Sequence, residues 1–325
     1  MTDAPLLELD RLSTHYITAR GTRVVKAVDE VSLTLRAGET LGVVGESGSG
    51  KTTLAQSILR LLPPAARIVS GGLRFEGEDL LAKSPAEMRR IRGKRIAMIL
   101  QDPMASLNPL FTIGDQVAEP VRVHEGVGRR SAFERARGLL KDVRIPAPEQ
   151  RLREYPHQMS GGMRQRIVGA IAISCEPRLL IADEPTTSLD VTIQAQYLKL
   201  LRDLQREHGL ALIFITHNLG IVARMCDSVA VMYAGRVIES GPVRQIFNAP
   251  VHPYTRALIE SIPRLGSGPE RLTAIDGQPP DLASLPGGCA FEPRCPKAFD
   301  RCRQETPTVV RLGDGHHTRC WLATK

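Results

Sequence analysis

The eight residues 45–52, GESGSGKT, constrain the fold of this chain more than any other stretch. They match G-x-x-x-x-G-K-[ST], with Gly45, Gly50, Lys51 and Thr52 at the fixed positions. Glycines let the backbone curl until successive N–H groups converge on phosphate oxygens, and a following helix adds the positive end of its dipole. Such a loop therefore needs a buried strand before it and an amphipathic helix after it. Both flanks are present. TLGVVG (40–45) is a continuous apolar run, and Leu54, Ile58, Leu61 and Leu62 fall on one face of a helix that Pro63 and Pro64 stop. Lys51 then reaches the β- and γ-phosphates, and the Thr52 hydroxyl ligates Mg²⁺. Ser47, Gly48, Ser49 and Thr53 complete the expected phosphate-binding stretch.

Four more apolar runs accompany this one: RIAMIL (95–100), LLIAD (179–183), ALIFITH (211–217) and SVAVMY (228–233). Runs without alternation suit strands buried on both faces of a mainly parallel sheet. Helical patterns lie between them, from about Gly162 to Ser174 and from about Thr192 to Glu207 before Gly209. Residues 104–160 lack such runs and are expected to form a helical insertion. The predicted class is α/β.

The strand LLIAD delivers Asp183 and Glu184 at its C-terminal end, the edge where open α/β sheets bind ligands. Asp183 is placed to hold Mg²⁺, and Glu184 to accept a proton from an attacking water. The alternative for this pair alone is an acidic turn before Pro185; the phosphate loop in the same chain argues for the catalytic reading.

Composition narrows the partners. Of 325 residues, 42% are hydrophobic, which excludes a largely disordered chain, and only 4% are aromatic, which argues against aromatic carbohydrate-binding platforms. The net charge of +8 favours an anionic partner, but the basic clusters RIRGKR (90–95) and GRRSAFERAR (128–137) hold a single aromatic between them, Phe133, and no series on which bases could stack. No nucleic acid is expected. The N-terminus has no secretory pattern, and no run approaches the length of a transmembrane helix. The expected compartment is reducing, where structural disulfides are disfavoured.

Residues 263–288 hold five Pro and five Gly in 26 positions, as expected of a linker. Beyond them Cys289, Cys295, Cys302 and Cys320 are spaced C-x₅-C-x₆-C-x₁₇-C. Thiolates bind soft metals, yet zinc sites usually carry C-x₂₋₄-C pairs, and the gaps match neither common ferredoxin pattern. A [4Fe–4S] cluster, Zn²⁺ (with His316 or His317 as substitute ligands) and plain reduced thiols all stay open. Cys175 and Cys226 read as ordinary buried thiols.

The ordered set GESGSGKT, Gln101 in ILQDPMASLNP, MSGGMRQR (159–166), LLIADEP (179–185), SLD (188–190) and ITH (215–217) resembles the nucleotide-binding subunits of ATP-binding cassette (ABC) transporters. HPYTRAL (252–258) and the cysteine tail are similar to the oligopeptide/dipeptide importer group and its nickel and glutathione relatives. The resemblance implies an ABC cassette over residues 1–245 with its helical subdomain at about 104–160. It also implies a linker with the HPY motif at 246–288 and a small Cys-containing module at 289–325. It implies that Gln101 senses Mg²⁺ and the γ-phosphate, and that Ser160, Gly161 and Gly162 form a signature loop closing over ATP of an opposite subunit. Asp190 would lie between the two sites, His217 would contact the γ-phosphate, and Tyr16 would stack on adenine. The signature departs from LSGGQ at Met159 and Met163, as a variant similar to that of peptide-importer subunits. The implied partners are two transmembrane permeases, a second ABC ATPase in a heterodimer or homodimer, and an extracytoplasmic substrate-binding protein. The implied place is the cytoplasmic face of the inner membrane, as a peripheral subunit. Nickel, glutathione or another small solute is the alternative cargo; a soluble ABC ATPase on nucleic acid or ribosomes is the alternative class.

Overall fold

The computed structural model describes residues 4–18, 21–187, 189–262 and 275–324. Ser188 of the SLD motif and residues 263–274 of the expected linker lie outside them. The chain divides into two compact units: Met1–Leu35 with Thr40–Leu81 and Ile215–Lys325, and Arg36–Glu39 with Ala82–Phe214.

The first unit contains two sheets. One is antiparallel, ordered Val24–Leu35, Leu7–Ile17, Ala66–Phe75, Glu78–Asp79. No run in the sequence signals it. The strand Leu7–Ile17 shifts register against Val24–Leu35 three times between Leu9 and Tyr16, and such bulges destroy the two-residue alternation that betrays a half-buried strand. In the other sheet Thr40–Val44, every residue buried, lies parallel to Ser228–Tyr233 with Leu41 opposite Ser228. Arg236–Pro242, His316–Thr318 and Val310–Gly313 then add on antiparallel. The sheet is mixed, and the expectation of a mainly parallel one is corrected accordingly.

The phosphate-loop helix is shorter than the apolar pattern predicts. It runs Lys51–Leu59 and stops where Arg60 turns left-handed at φ 50°, before either proline. Leu54 and Ile58 are buried, whereas Leu61 lies outside the helix and is 49% exposed.

The second unit carries Ile96–Ile99 parallel to Leu179–Asp183, followed in the sheet by Ala211–Ile215. The last two are buried at all five positions, as unalternating apolar runs require. Leu100, read into the first strand, is instead exposed. Between these strands lie the helices Pro103–Ser106, Ile113–Glu125, Arg129–Asp142, Pro148–Arg151 and Gly161–Ile173. Val191–His208 follows, ended by Gly209 at φ 60°.

The cysteine tail is not an appended module. His316 and Thr318 belong to a strand hydrogen-bonded to Arg236–Pro242, and Phe291 lies in a core with Val44, Val231, Tyr233 and Tyr254. Ile275, Leu282 and Leu285, from the second half of the expected linker, pack against the same core. Their apolar side chains make that stretch a strap.

Candidate functional site

The phosphate loop is shaped by three glycines, at two of which no side chain fits. Gly45, Gly48 and Gly50 have φ of 151°, 77° and 102°. A Cβ on Gly45 would stand 2.2 Å from the Met232 carbonyl oxygen, and one on Gly50 2.0 Å from that of Ala27. Strand neighbours thus press against the loop from behind and force its N–H groups inward. Lys51, 6% exposed, donates from Nζ to the carbonyls of Gly45 at 2.8 Å and Glu46 at 2.9 Å, and to Ser49 Oγ at 3.5 Å. The ammonium holds the loop curled around itself. Thr52 is exposed at the start of the helix, Ser47 and Gly48 are exposed, and Ser49 is buried. The Tyr16 hydroxyl lies 3.4 Å from Thr53 Oγ1, so the aromatic stands beside the same helix. His217 is exposed just before the helix Leu219–Met225, whose N-terminus Asn218 caps.

In the second unit Asp183 is buried at the C-terminal end of its strand. Glu184, the next residue, has φ 45°, a strained conformation for a non-glycine that costs about 1–3 kcal/mol and concentrates at functional sites. Gln101 Nε2 donates to Glu184 Oε2 at 3.2 Å and Thr187 Oγ1 donates to the same oxygen at 3.0 Å. Two residues 83 positions apart are therefore brought together, with the glutamate carboxylate oriented by an amide and a hydroxyl.

The serine-glycine-glycine turn begins a helix, and Ser160 accepts from the Met163 N–H at 3.3 Å. Its glycines differ. A Cβ on Gly162 would meet Ile193 Cγ2 at 2.8 Å, whereas one on Gly161 would meet nothing within 4 Å. Gly162 is there for packing; Gly161 leaves its backbone open to approach. Asp190 caps Val191–His208 by accepting from the Ile193 N–H at 3.0 Å.

The surface from Gln101 to Gln116, including Asn108, Pro109 and Phe111, is the socket for membrane subunits that the resemblance implies. Two side-chain arrangements, one of them inside that surface, lay beyond the sequence. Gln116 braces residues 108–111, accepting from the Asn108 N–H and donating to the carbonyls of Asn108 and Phe111. That loop presents Leu110 and Phe111 at 81% and 54% exposure. The second feature is Glu239, fully buried, which accepts from the N–H groups of Val251 and His252 and from His316 Nε2, all at 2.7–3.1 Å. It ties the HPY segment to the tail. His252 Nδ1 in turn accepts from the Tyr254 N–H, and burial pushes the His252 pKa down to about 3.

Comparison with known proteins accounts for both the loop and the HPY segment. A family model described as ABC transporter matches residues 28–187, and one described as oligopeptide/dipeptide transporter, C-terminal region, matches 238–302. The dipeptide transport ATP-binding protein DppD of Escherichia coli (strain K12) is 47% identical over 97% of this chain and 96% of its own. The chain belongs to the oligopeptide/dipeptide family of ABC transporter ATPases. DppD of Bacillus subtilis (strain 168) is 49% identical over 98% of this chain and 94% of its own. Among solved structures, cbiO1 from Clostridium perfringens, part of the ABC transporter complex cbiONQ, superposes with a TM-score of 0.65. It is 28% identical and covers 76% of this chain and 92% of that one. The fold of this peptide-family ATPase is thus the ABC cassette, and among its described residues no helix is long and apolar enough to cross a membrane.

The cysteine expectation fares differently. Cys289, Cys295, Cys302 and Cys320 line one pocket of about 10 Å³, with Phe291 and Trp321. Burial, reinforced by the neighbouring thiols, pushes Cys289 and Cys320 up to about 11. Among the described residues no group of three or more His, Cys, Asp or Glu is arranged to hold a metal ion. Neither His316, which donates from Nε2 to Glu239, nor His317 lines the pocket the four cysteines share. The four thiols share one pocket, but nothing among the described residues shows a metal held there.

Proposed function

We propose that this ATPase powers import of oligopeptides or dipeptides through separate permease subunits. The observation that carries the reading is the phosphate loop curled around Lys51, in a chain matched end to end by dipeptide transport ATP-binding proteins. Loop N–H groups from Gly45 to Thr53, with Lys51, bind the ATP phosphates, and Tyr16 stacks on adenine. Thr52 and Asp183 would hold Mg²⁺, with Gln101 sensing it, and the ion would supply neutralisation of phosphate charge. Glu184, oriented by Gln101 and Thr187, takes the proton of the attacking water, and His217 contacts the γ-phosphate.

Ser160, Gly161 and Gly162 act on ATP held by a second ATPase subunit, the same chain or a different one, with Asp190 between the two sites. The exposed Leu110 and Phe111 on their braced loop suit a permease socket. The subunit then works at the cytoplasmic face of the inner membrane, with an extracytoplasmic binding protein choosing the cargo. A cassette at 1–245 and an HPY-bearing segment beyond it follow the same reading.

Glu184→Gln is expected to keep ATP binding while lowering turnover about 10²–10⁴-fold, the usual worth of a general base. Turnover within a few-fold of wild type removes Glu184 from that role. Purified from its own cells with ATP and mild detergent, the same variant should bring down multi-span permeases. Ribosomal proteins or nucleic acid in their place would overturn the transport assignment, and permeases with a nickel- or glutathione-specific binding protein would change the cargo.

The tail has a second reading, carried only by the convergence of four thiols on one pocket: an iron–sulfur cluster there, ahead of zinc. Visible absorbance bleached by dithionite in anaerobically purified protein supports it. Colourless protein, with stoichiometric zinc or without metal, sinks it.

A further inference from the structure

The phosphate loop is braced by the far end of the chain. Glu46, the second residue of the loop, donates its N–H to the Tyr254 hydroxyl at 2.9 Å. Its two carboxylate oxygens accept from Arg294 Nη1 and Nη2 at 2.8 and 3.0 Å, a bidentate pair across 248 positions. Arg294 is itself held on every side. Its side chain is 4% exposed, Nη1 also donates to the Tyr233 hydroxyl at 3.3 Å, and Nε and Nη2 donate to the carbonyls of Asp276 and Ile275. The ring of Phe291 lies 6.0 Å from the guanidinium. On the loop side, the carbonyl of Glu46 accepts from Lys51 Nζ. One residue therefore joins the ammonium that faces the phosphates, the HPY tyrosine and a buried arginine of the tail.

A bidentate guanidinium–carboxylate pair is among the strongest side-chain contacts, and its planar fork fixes orientation as well as distance. Glu46 lies between Gly45 and the glycines that curl the loop, so the orientation of its backbone sets where the first loop carbonyl and N–H groups point. Without the fork, the Glu46 side chain would lose its anchor, and the peptide would be held only by Tyr254 on its N–H and by Lys51 and the Ser49 N–H on its carbonyl.

We propose that Arg294 is a positioning residue for ATP binding: by forking the Glu46 carboxylate it holds the phosphate loop curled, which makes the tail a working part of the nucleotide site. This rests on the reading of the loop as the ATP site.

The test is titration calorimetry of Mg·ATP against the full chain, with a thermal melt of each variant. Arg294→Ala should weaken binding about tenfold or more, the worth of one charged hydrogen-bonded pair. Arg294→Lys, which keeps the charge and loses the fork, should fall between. The exchange Glu46→Arg with Arg294→Glu should bind more tightly than either single change, a recovery that loss of general packing does not produce. Wild-type protein that fails to bind Mg·ATP overturns the ATP reading and this proposal with it. Wild-type binding with Arg294→Ala within twofold overturns the proposal alone, as does an exchange no better than the worse single variant. Should Arg294→Ala not fold, Arg294→Lys and Glu46→Gln decide: both within twofold of wild type overturns the proposal, and weakened binding in both supports it.

Discussion

The phosphate loop and the cysteine tail lie in one compact unit and are built on opposite principles. The loop is eight contiguous residues whose shape is set by backbone: three positive-φ glycines, two of them pressed against strand carbonyls, and a lysine bonding to the carbonyls beside it. The tail is an assembly of side chains. Its thiols meet only because Phe291 is fixed in an aromatic core with Tyr233 and Tyr254, and because Glu239 binds both the HPY segment and His316. A site made of backbone carries most of its curl in its own residues, with Arg294 and Tyr254 bracing Glu46 from outside. A site made of scattered side chains borrows its geometry from everything between them.

That contrast is sharpest at Gly50. Alanine there would place its Cβ 2.0 Å from the Ala27 carbonyl oxygen at φ 102°, and neither strand nor loop has room to yield. Gly50→Ala should cost about 4 kcal/mol by combined clash and strain, and abolish ATP binding in whatever fraction folds. Chemical denaturation and nucleotide titration read the two effects. A variant of near-normal stability would mean the loop is more pliable than its geometry implies.

On the tail side the corresponding change is Glu239→Ala. It would orphan the buried His252 N–H, the part-buried Val251 N–H and the His316 ring nitrogen together, at about 3 kcal/mol, with the loop's own bonds untouched. The expected signature is tail loosening, seen as rapid amide exchange at Val251 and His252, before global unfolding. If those amides stay as protected as in wild type, Glu239 is not the hub.

This division also governs what was legible in the sequence. The loop, its strand and its acidic partner strand are contiguous patterns, and they were readable. The Glu184 backbone strain and its Gln101 contact were not readable: both residues were named, but nothing local brings positions 101 and 184 together. Arg294 was invisible as a partner of Glu46, because a pair 248 residues apart leaves no periodicity. The cysteines were visible as a composition, but the count of thiols says nothing of the aromatic core that spaces them. Four thiols in 32 residues suggested a metal; their pocket, about 10 Å³ and lined by Phe291 and Trp321, did not follow from that number.

A smaller effect tests the tail through pH. His252 is buried, neutral and accepting at Nδ1 from the Tyr254 N–H, with its pKa lowered to about 3. The unfolded chain takes up a proton near pH 6.5 that the folded one refuses, so stability falls as pH drops from about 6.5 towards 3. The slope from this group reaches at most about 1.4 kcal/mol per pH unit and vanishes below the folded pKa. His252→Asn offers the same N–H an acceptor that does not titrate, and it should remove this component from a stability–pH curve. An unchanged slope would locate the acid sensitivity elsewhere.

The smallest effect returns to the loop. Gly48 has φ 77°, yet a Cβ there would meet nothing within 4 Å. Gly48→Ala therefore carries only the left-handed backbone penalty of about 1 kcal/mol, with no clash. The loop should still fold, and Lys51 should keep its carbonyl partners. What changes is the outward face: the methyl group stands on the exposed side of the curl, where the phosphate oxygens are proposed to approach. A weakened ATP affinity at nearly unchanged stability is the expected outcome, opposite to Glu239→Ala, which loosens the tail at the expense of stability. If Gly48→Ala instead destabilises as much as Gly50→Ala, the loop is a rigid unit in which strain at any glycine spreads to all. The backbone would then be set by the whole curl and not by the two strand carbonyls behind it.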